Sequence, residues 1–335
     1  MSAISIGDLA QSFYLRRHNL ELKTELSRLT SELSSGKVND VTAHLNGELT
    51  YLVDIEHSLK LNDVFSTSAK EAASFSATMQ TSLGHVQDQL SALSNDVLTY
   101  GTNSVGYTQP HFGDAARLAL GAIVSSLNVT NAGRAIFAGD ATDQTPLQSA
   151  QAMLTDLRGA LVGQSSLAGV EAAMDVWFGA GGGFETSAYA GGADNLSAFQ
   201  LGDGERVDLK IKADDPVLRD ALKAVAMTAL SQDTAMGFSE DLRDAMLARS
   251  GELGLAASDA LTTTRAALGH AEARIEEAGV RLSAQRTSLE IAQNELSSAD
   301  PYDTVMRLEE TQFRLESLYT ITARLSELSL VGFLR

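Results

Sequence analysis

Two histidines three or four residues apart on a helix can share a zinc ion, and an HExxH pattern would add a general base beside it. The six histidines, His18, His44, His57, His85, His111 and His270, provide neither spacing. There is no cysteine, so thiolate metal sites, disulfides and cysteine nucleophiles are excluded. Gly179 and Gly181 to Gly183 follow no clear strand and precede no Lys-Ser or Lys-Thr, which makes a phosphate loop a poor reading. No serine lies in a GxSxG elbow. The adjacent carboxylates Asp214-Asp215 and Glu309-Glu310 are expected to be solvated, at a helix start and on a helix surface respectively. Asn128-Val129-Thr130 fits a glycosylation sequon, a motif short enough to arise by chance. These residues assemble no active site, so a non-enzymatic protein is expected, without catalytic, cofactor-binding or metal-binding residues.

The elements that would position such residues are long helices. Among 335 residues, aromatics make up 6% and proline occurs four times, a composition that favours helices packed through small and aliphatic side chains. The net charge of −18 argues against nucleic acid or an anionic membrane as the main partner. Residues 1–37 hold five Lys/Arg and four Asp/Glu, and residues 300–335 hold four and six, so the ends sum to +1 and −2 and leave −17 between them. Near-neutral ends suit association, and an acidic middle suits a solvated surface. No apolar run reaches the roughly 18 residues of a membrane span. The first residues lack the apolar core of about 7 to 15 residues found in a cleaved secretory signal. Export, if it occurs, is therefore expected to leave the N-terminus intact.

The last 36 residues carry the clearest pattern. Asp300 can cap a first turn, Pro301 suits the position that needs no donor, and Asp303 adds a carboxylate to the first turn. Leu308, Leu315, Leu318, Ile321, Leu325 and Leu328 then fall on one helix face. Residues 8–34 repeat the device: Leu15, Leu22 and Leu29 are seven apart, with Leu26 and Leu33 four after the last two. Gly36 is placed as a C-cap. The two stripes are expected to pair. Together Leu22, Leu26, Leu29, Leu33 and the six C-terminal positions form the expected assembly surface. A second, longer pair is predicted inside the first, from residues 48–100 and 250–299. In the latter, Leu261, Leu268, Ile275, Leu282, Leu289 and Leu296 recur every seven residues, and the positions three later are mostly small, which lets helix axes approach. The heptad register resets between Leu296 and Leu308, predicting a break at Asp300-Pro301.

The middle differs in texture. A helix is expected over 113–128. Thr145-Pro146 should start another, carrying Leu147, Ala150, Leu154, Leu157 and Leu161, and Leu167, Val170, Met174 and Trp177 mark a third. From the glycine loop to Lys212 the pattern suggests short strands turning at Gly202-Asp203-Gly204, and Asp214-Asp215-Pro216 should cap a helix running through Ala229. The expected fold is mainly α, with long nested antiparallel helices, paired N- and C-terminal coiled-coil segments and a small central α+β insert. The expected layers are a terminal domain (1–37 with 300–335), an intermediate one (38–140 with 245–299) and an outer one (141–244).

Three stretches resemble the bacterial flagellin superfamily and, within it, the hook-filament junction branch. LTSELSSGKVND at 29–40 is similar to the family's N-terminal signature, and NAGRAIFAGD at 131–140 to a short junction motif around Gly133, Arg134, Phe137, Ala138 and Gly139. The stretch from Leu289 to Arg335 resembles the junction C-terminus. Together they cover about a third of the chain. Val41-Thr42-Ala43-His44 departs from the family's Asp-Asp-Pro or Asp-Asp-Ala element, and the absent Gln-Ala-Asn stretch and Leu-Leu ending shift the resemblance from filament subunits toward the junction. The resemblance implies a flagellin-like layering and a structural subunit exported by the flagellar type III route. It also implies a homo-oligomeric ring between an adjacent hook-associated protein and flagellin, and an export chaperone before secretion. A filament flagellin is the nearest alternative, and a cytoplasmic helical scaffold or signalling protein a more distant one.

Overall fold

A computed structural model describes residues 6–102 and 110–333. Its elements are α1 (Ile6–Ser35), a single-turn α2 (Val41–His44), α3 (Thr50–Thr102), α4 (Pro110–Leu127), the strands β1 (Thr130–Asn131) and β2 (Arg134–Ala135), α5 (Ala150–Leu161), α6 (Leu167–Phe178), β3 (Phe199–Gly202), β4 (Glu205–Val207), α7 (Pro216–Ser231), α8 (Glu240–Ser297) and α9 (Pro301–Phe333). The fold is mainly α, and among the described residues the only sheets are two antiparallel two-stranded ones, β1-β2 and β3-β4. The chain divides into two compact units, residues 1–62 with 284–335 and residues 63–283.

In the second unit, α3 and α8 run antiparallel. Gln80 bonds Arg265, Gln87 bonds Thr262 (2.7 Å) and Ser91 bonds Ser258 (2.9 Å), so partner numbers fall on one helix as they rise on the other. Gly251 and Gly254 sit against Leu98 and Ser94, where an added Cβ would collide. Of the six expected heptad positions, Leu261, Leu268, Ile275 and Leu282 are buried here, whereas Leu289 and Leu296, which fall in the first unit, are half-buried. Around this pair, α4 packs on α7 and α5 on α6, and one continuous core runs from Ala69 to Leu282. Burying so many aliphatic side chains at about 25 cal/mol per Å² is the main force holding this unit.

The insert departs from expectation at several points. Pro146 does not open α5: residues 146–148 lie extended, with Gln148 N–H donating to Ala188 O and Ala190 N–H to Pro146 O, and Ser149 caps the helix through its hydroxyl instead. Leu147 is held outside the helix by Asn128, whose side chain bonds both its N–H and its C=O at 2.9 Å. That pair of hydrogen bonds also occupies the sequon asparagine. Between the glycine loop and Lys212, residues Phe184–Ala188 form a π-helical turn and only β3 and β4 are strands. Asp215 stands at the start of α7, but its carboxylate accepts from the Lys212 amide (3.1 Å) rather than from the helix. Nor is this carboxylate pair solvated: burial pushes Asp215 up from the ordinary carboxylate value, and Asp214 lies 3.4 Å from the Lys212 ammonium with both groups largely covered. Helix α7 continues past Ala229 to Ser231, and α8 begins at Glu240, ahead of the predicted start.

Candidate assembly surface

The site lies in the first unit, where α1 packs against α9. The break between α8 and α9 falls as the register predicts. The Asp300 carboxylate accepts from the amides of Tyr302 (2.8 Å) and Asp303 (3.3 Å), with Pro301 in the first position, so a new helix starts there. Gly36 ends α1 at φ +69 and bonds Glu32 O at 2.8 Å. The two breaks are tied to each other by antiparallel backbone pairing, Val38 N–H to Ser297 O (3.0 Å) and Ala299 N–H to Gly36 O (3.0 Å). The end of α1 is thereby clamped to the start of α9, which forces the helices to run antiparallel.

Polar contacts fix their register. Arg28 spans Glu25 and Glu32 on α1, and Glu32, nearly fully buried, also accepts the Asn39 amide at 2.9 Å. Glu25 is held below the ordinary carboxylate range, first by Arg28 and further by Arg307 across the seam. Toward the other end, the Tyr319 hydroxyl is bonded by Asn19 and Lys23, which lowers its pKa. Thr304 and Thr311 are buried with their hydroxyls bonded back to Asp300 O and Arg307 O, so neither leaves an unpaired donor in the seam.

The structure brings most of the predicted residues to this seam without burying all of them. Leu22, Leu29 and Leu318 are buried, Leu26, Leu308 and Leu315 half-buried, and Leu33 and Ile321 exposed at 40% and 51%. The side chains of Leu325 and Leu328 lie outside the described residues. With Ile55, these three leucines are the only buried hydrophobic residues described in the whole unit.

Sequence reasoning missed the opposite faces. At 100° per residue, Tyr302, Met306 and Phe313 fall within about 40° of one another, roughly opposite Thr304, Thr311 and Leu318. They are exposed at 77%, 51% and 70%, with exposed Glu309 and Glu316 between and beyond them. On α1, Phe13 and Leu20 lie opposite Leu22 and Leu29 and are likewise exposed. Beside Leu20 runs a groove of about 650 Å³ lined by Lys23, Thr24, Ser27 and Ser31. The signal available was the seven-residue spacing of Phe13 to Leu20 and of Met306 to Phe313, hidden behind the stronger leucine repeat.

No group of three or more metal-ligating side chains occurs among the described residues, and no described helix is long and apolar enough to cross a membrane. Glu309 and Glu310 are exposed, as expected.

Residues 255–334 match the family described as the bacterial flagellin C-terminal helical region. Among solved structures, the chain is similar to Bacillus cereus FlgL, with 15% identity, a TM-score of 0.52, and coverage of 72% of this chain and 98% of that one. It also aligns with a protein from Vibrio parahaemolyticus described as a flagellar hook-associated protein, at 14% identity and a TM-score of 0.49 over 73% of this chain and 95% of that one. No curated protein sequence matches it.

Proposed function

We propose that this chain is a non-enzymatic structural subunit of the bacterial flagellum, serving at the hook-filament junction in the role of a hook-associated protein 3. The observation that carries the proposal is the terminal pair α1/α9, which leaves Phe13, Leu20, Tyr302, Met306 and Phe313 exposed on the faces opposite its seam. Large apolar side chains exposed on the face opposite a helix's own packing seam mark a surface that a partner covers. The match of residues 255–334 to the flagellin C-terminal region supports placing that cover in a flagellar assembly, and the fold shared with FlgL is consistent with it.

In this reading Leu22, Leu26, Leu29, Leu33, Leu308, Leu315, Leu318, Ile321, Leu325 and Leu328 remain the proposed assembly surface, with Leu22, Leu29 and Leu318 holding the terminal pair together and Leu33 and Ile321 open to neighbouring copies. The outer faces add to that contact between copies. Tyr302, Met306 and Phe313 of one copy are large where the Leu20, Thr24, Ser27 and Ser31 side of α1 is mostly small. Glu309 and Glu316 on the first face complement Arg16, Arg17 and Lys23 beside the second. Two different faces meeting head to tail close into a ring when the rotation allows. The layers 1–37 with 300–335, 38–140 with 245–299, and 141–244 would run from the inside of that ring outward. Before export, a flagellar chaperone would cover the same outer stripe; afterwards the neighbours are a second hook-associated protein and flagellin, outside the cell.

Antibody-labelled electron microscopy of flagellated cells tests the position: label confined to the base of the filament is expected, and label along its length, or only in the cytosol, would overturn it. Seeded polymerisation separates the junction role from a filament role, since a junction subunit stops after one tier.

A further inference from the structure

We infer that Asn46 is a site of spontaneous covalent modification, converting to aspartate and isoaspartate through a succinimide. Asn46-Gly47 is the one Asn-Gly pair in the sequence. It closes α2, with both residues exposed and both at positive φ, +52 and +84. Gly47 has no side chain of its own, and a Cβ built on it would meet nothing within 4 Å, so the space beside its backbone is open. In the reaction the Gly47 nitrogen attacks the Asn46 side-chain carbonyl carbon. The N–C bond forms as the C–N bond to the amide nitrogen breaks, and ammonia leaves with the Gly47 proton. Water then opens the ring at either carbonyl.

What restrains the reaction is one turn of helix. The Gly47 N–H donates to Thr42 O at 2.9 Å, which ties up the nucleophile and holds the backbone in the left-handed cap. That turn is four residues long and contains no buried residue. A helix so far below the length that is stable alone opens readily, because no fully buried side chain anchors it. Asn128 and Asn131 differ: the first is bonded on both sides to Leu147, and the second donates to Ser74 and Thr78. Conversion at Asn46 places a negative charge at the C-terminal end of α2, where the helix dipole opposes it, and isoaspartate lengthens the backbone by one carbon. Both changes undo the cap. Converted chains therefore have a loosened link between α1 and α3, which marks the age of a molecule.

The test is incubation of the full chain at mildly alkaline pH, followed by peptide mapping with mass spectrometry and enzymatic isoaspartate assay. The peptide holding Asn46 is expected to convert well before those holding Asn128 and Asn131, and aged protein should be cut between α1 and α3 sooner than fresh protein. Gly47→Ala should slow conversion; because alanine is strained at that φ, Asn46→Gln serves as a second variant and should remove both signals. The inference is overturned if Asn46 stays intact in the folded chain over a time in which the denatured chain converts fully, or if Asn128 keeps pace with it.

Discussion

Two antiparallel helix pairs in this molecule share a heptad repeat and differ in everything outside it. Between α3 and α8 within residues 63–283, glycines bring the axes close, Gln80, Gln87 and Arg265 tie the register, and further helices close over the remaining faces. Between α1 and α9 the seam is as regular in sequence, yet buries three leucines and leaves Phe13, Leu20, Tyr302, Met306 and Phe313 in water. A repeat specifies that a helix has a partner. Whether the pair is finished depends on the residues half a turn away, so the same pattern makes a closed core in one place and an unfinished one in the other.

The largest expected effect sharpens this contrast. Leu261→Ala removes a fully buried side chain from the closed pair and should cost about 2–5 kcal/mol in denaturant unfolding of the dilute monomer. Leu318→Ala, in a seam covered on one side only, should cost clearly less under the same conditions. Equal losses would mean that the two pairs are equally consolidated, and the comparison would fail. Gly254→Val tests the close approach itself: its Cβ would run into Ser94, and about 1–3 kcal/mol should be lost through overpacking. A glycine substitution at the exposed Gly36 turn has no such neighbour within 4 Å, although its positive φ adds backbone strain.

The sequence was informative where one face of one helix decided the outcome. The break at Asp300-Pro301, the cap at Gly36 and the buried leucines of α8 were all readable from local spacing. It was less informative where a distant segment competes for the backbone. Pro146 looks like a helix start until residues 188–190 claim the neighbouring amides and carbonyls. Asp215 looks like a cap until the Lys212 amide turns its carboxylate away. Both corrections come from contacts that local pattern does not encode. The outer faces of α1 and α9 were missed for another reason: a leucine repeat outweighs the single seven-residue spacings of Phe13 to Leu20 and Met306 to Phe313, although the weaker signal marks the surface left uncovered.

Charge offers an intermediate test. Asp233, within residues 63–283, is buried, and burial alone would raise its pKa; Arg158 at 2.5 Å, the Ala235 amide and Arg117 outweigh this and hold it below its ordinary value of 3.8. A carboxylate whose folded pKa is depressed contributes its stability above the unfolded pKa and loses it as pH falls through the folded one. Acid titration should therefore weaken the second unit progressively below about pH 4. Asp233→Asn should flatten that limb and cost about 1–3 kcal/mol at neutral pH, at the lower end because Arg158 is one-third exposed. In the first unit, Glu25 is lowered in the same direction beside Arg28 but stands more open to solvent, so Glu25→Gln should change the acid limb little.

The smallest expected effect on stability carries the most about function. Phe313→Ser removes a ring that is 70% exposed on the face opposite the seam, so unfolding of the isolated chain should shift by no more than about 0.5 kcal/mol. If the outer stripe of α9 is covered by a neighbouring copy, the same substitution takes a large aromatic anchor out of that interface, where a single such residue can dominate the affinity. Seeded assembly should then fail while the monomer remains as stable as before, and a charge reversal at Glu316 should weaken assembly in a salt-dependent way. Leu318→Ala predicts the reverse order, a loss first seen in the monomer. Two variants five residues apart on one helix would thus report separately on its two faces. A Phe313→Ser chain that assembles normally would show that the exposed stripe is not what neighbours bury.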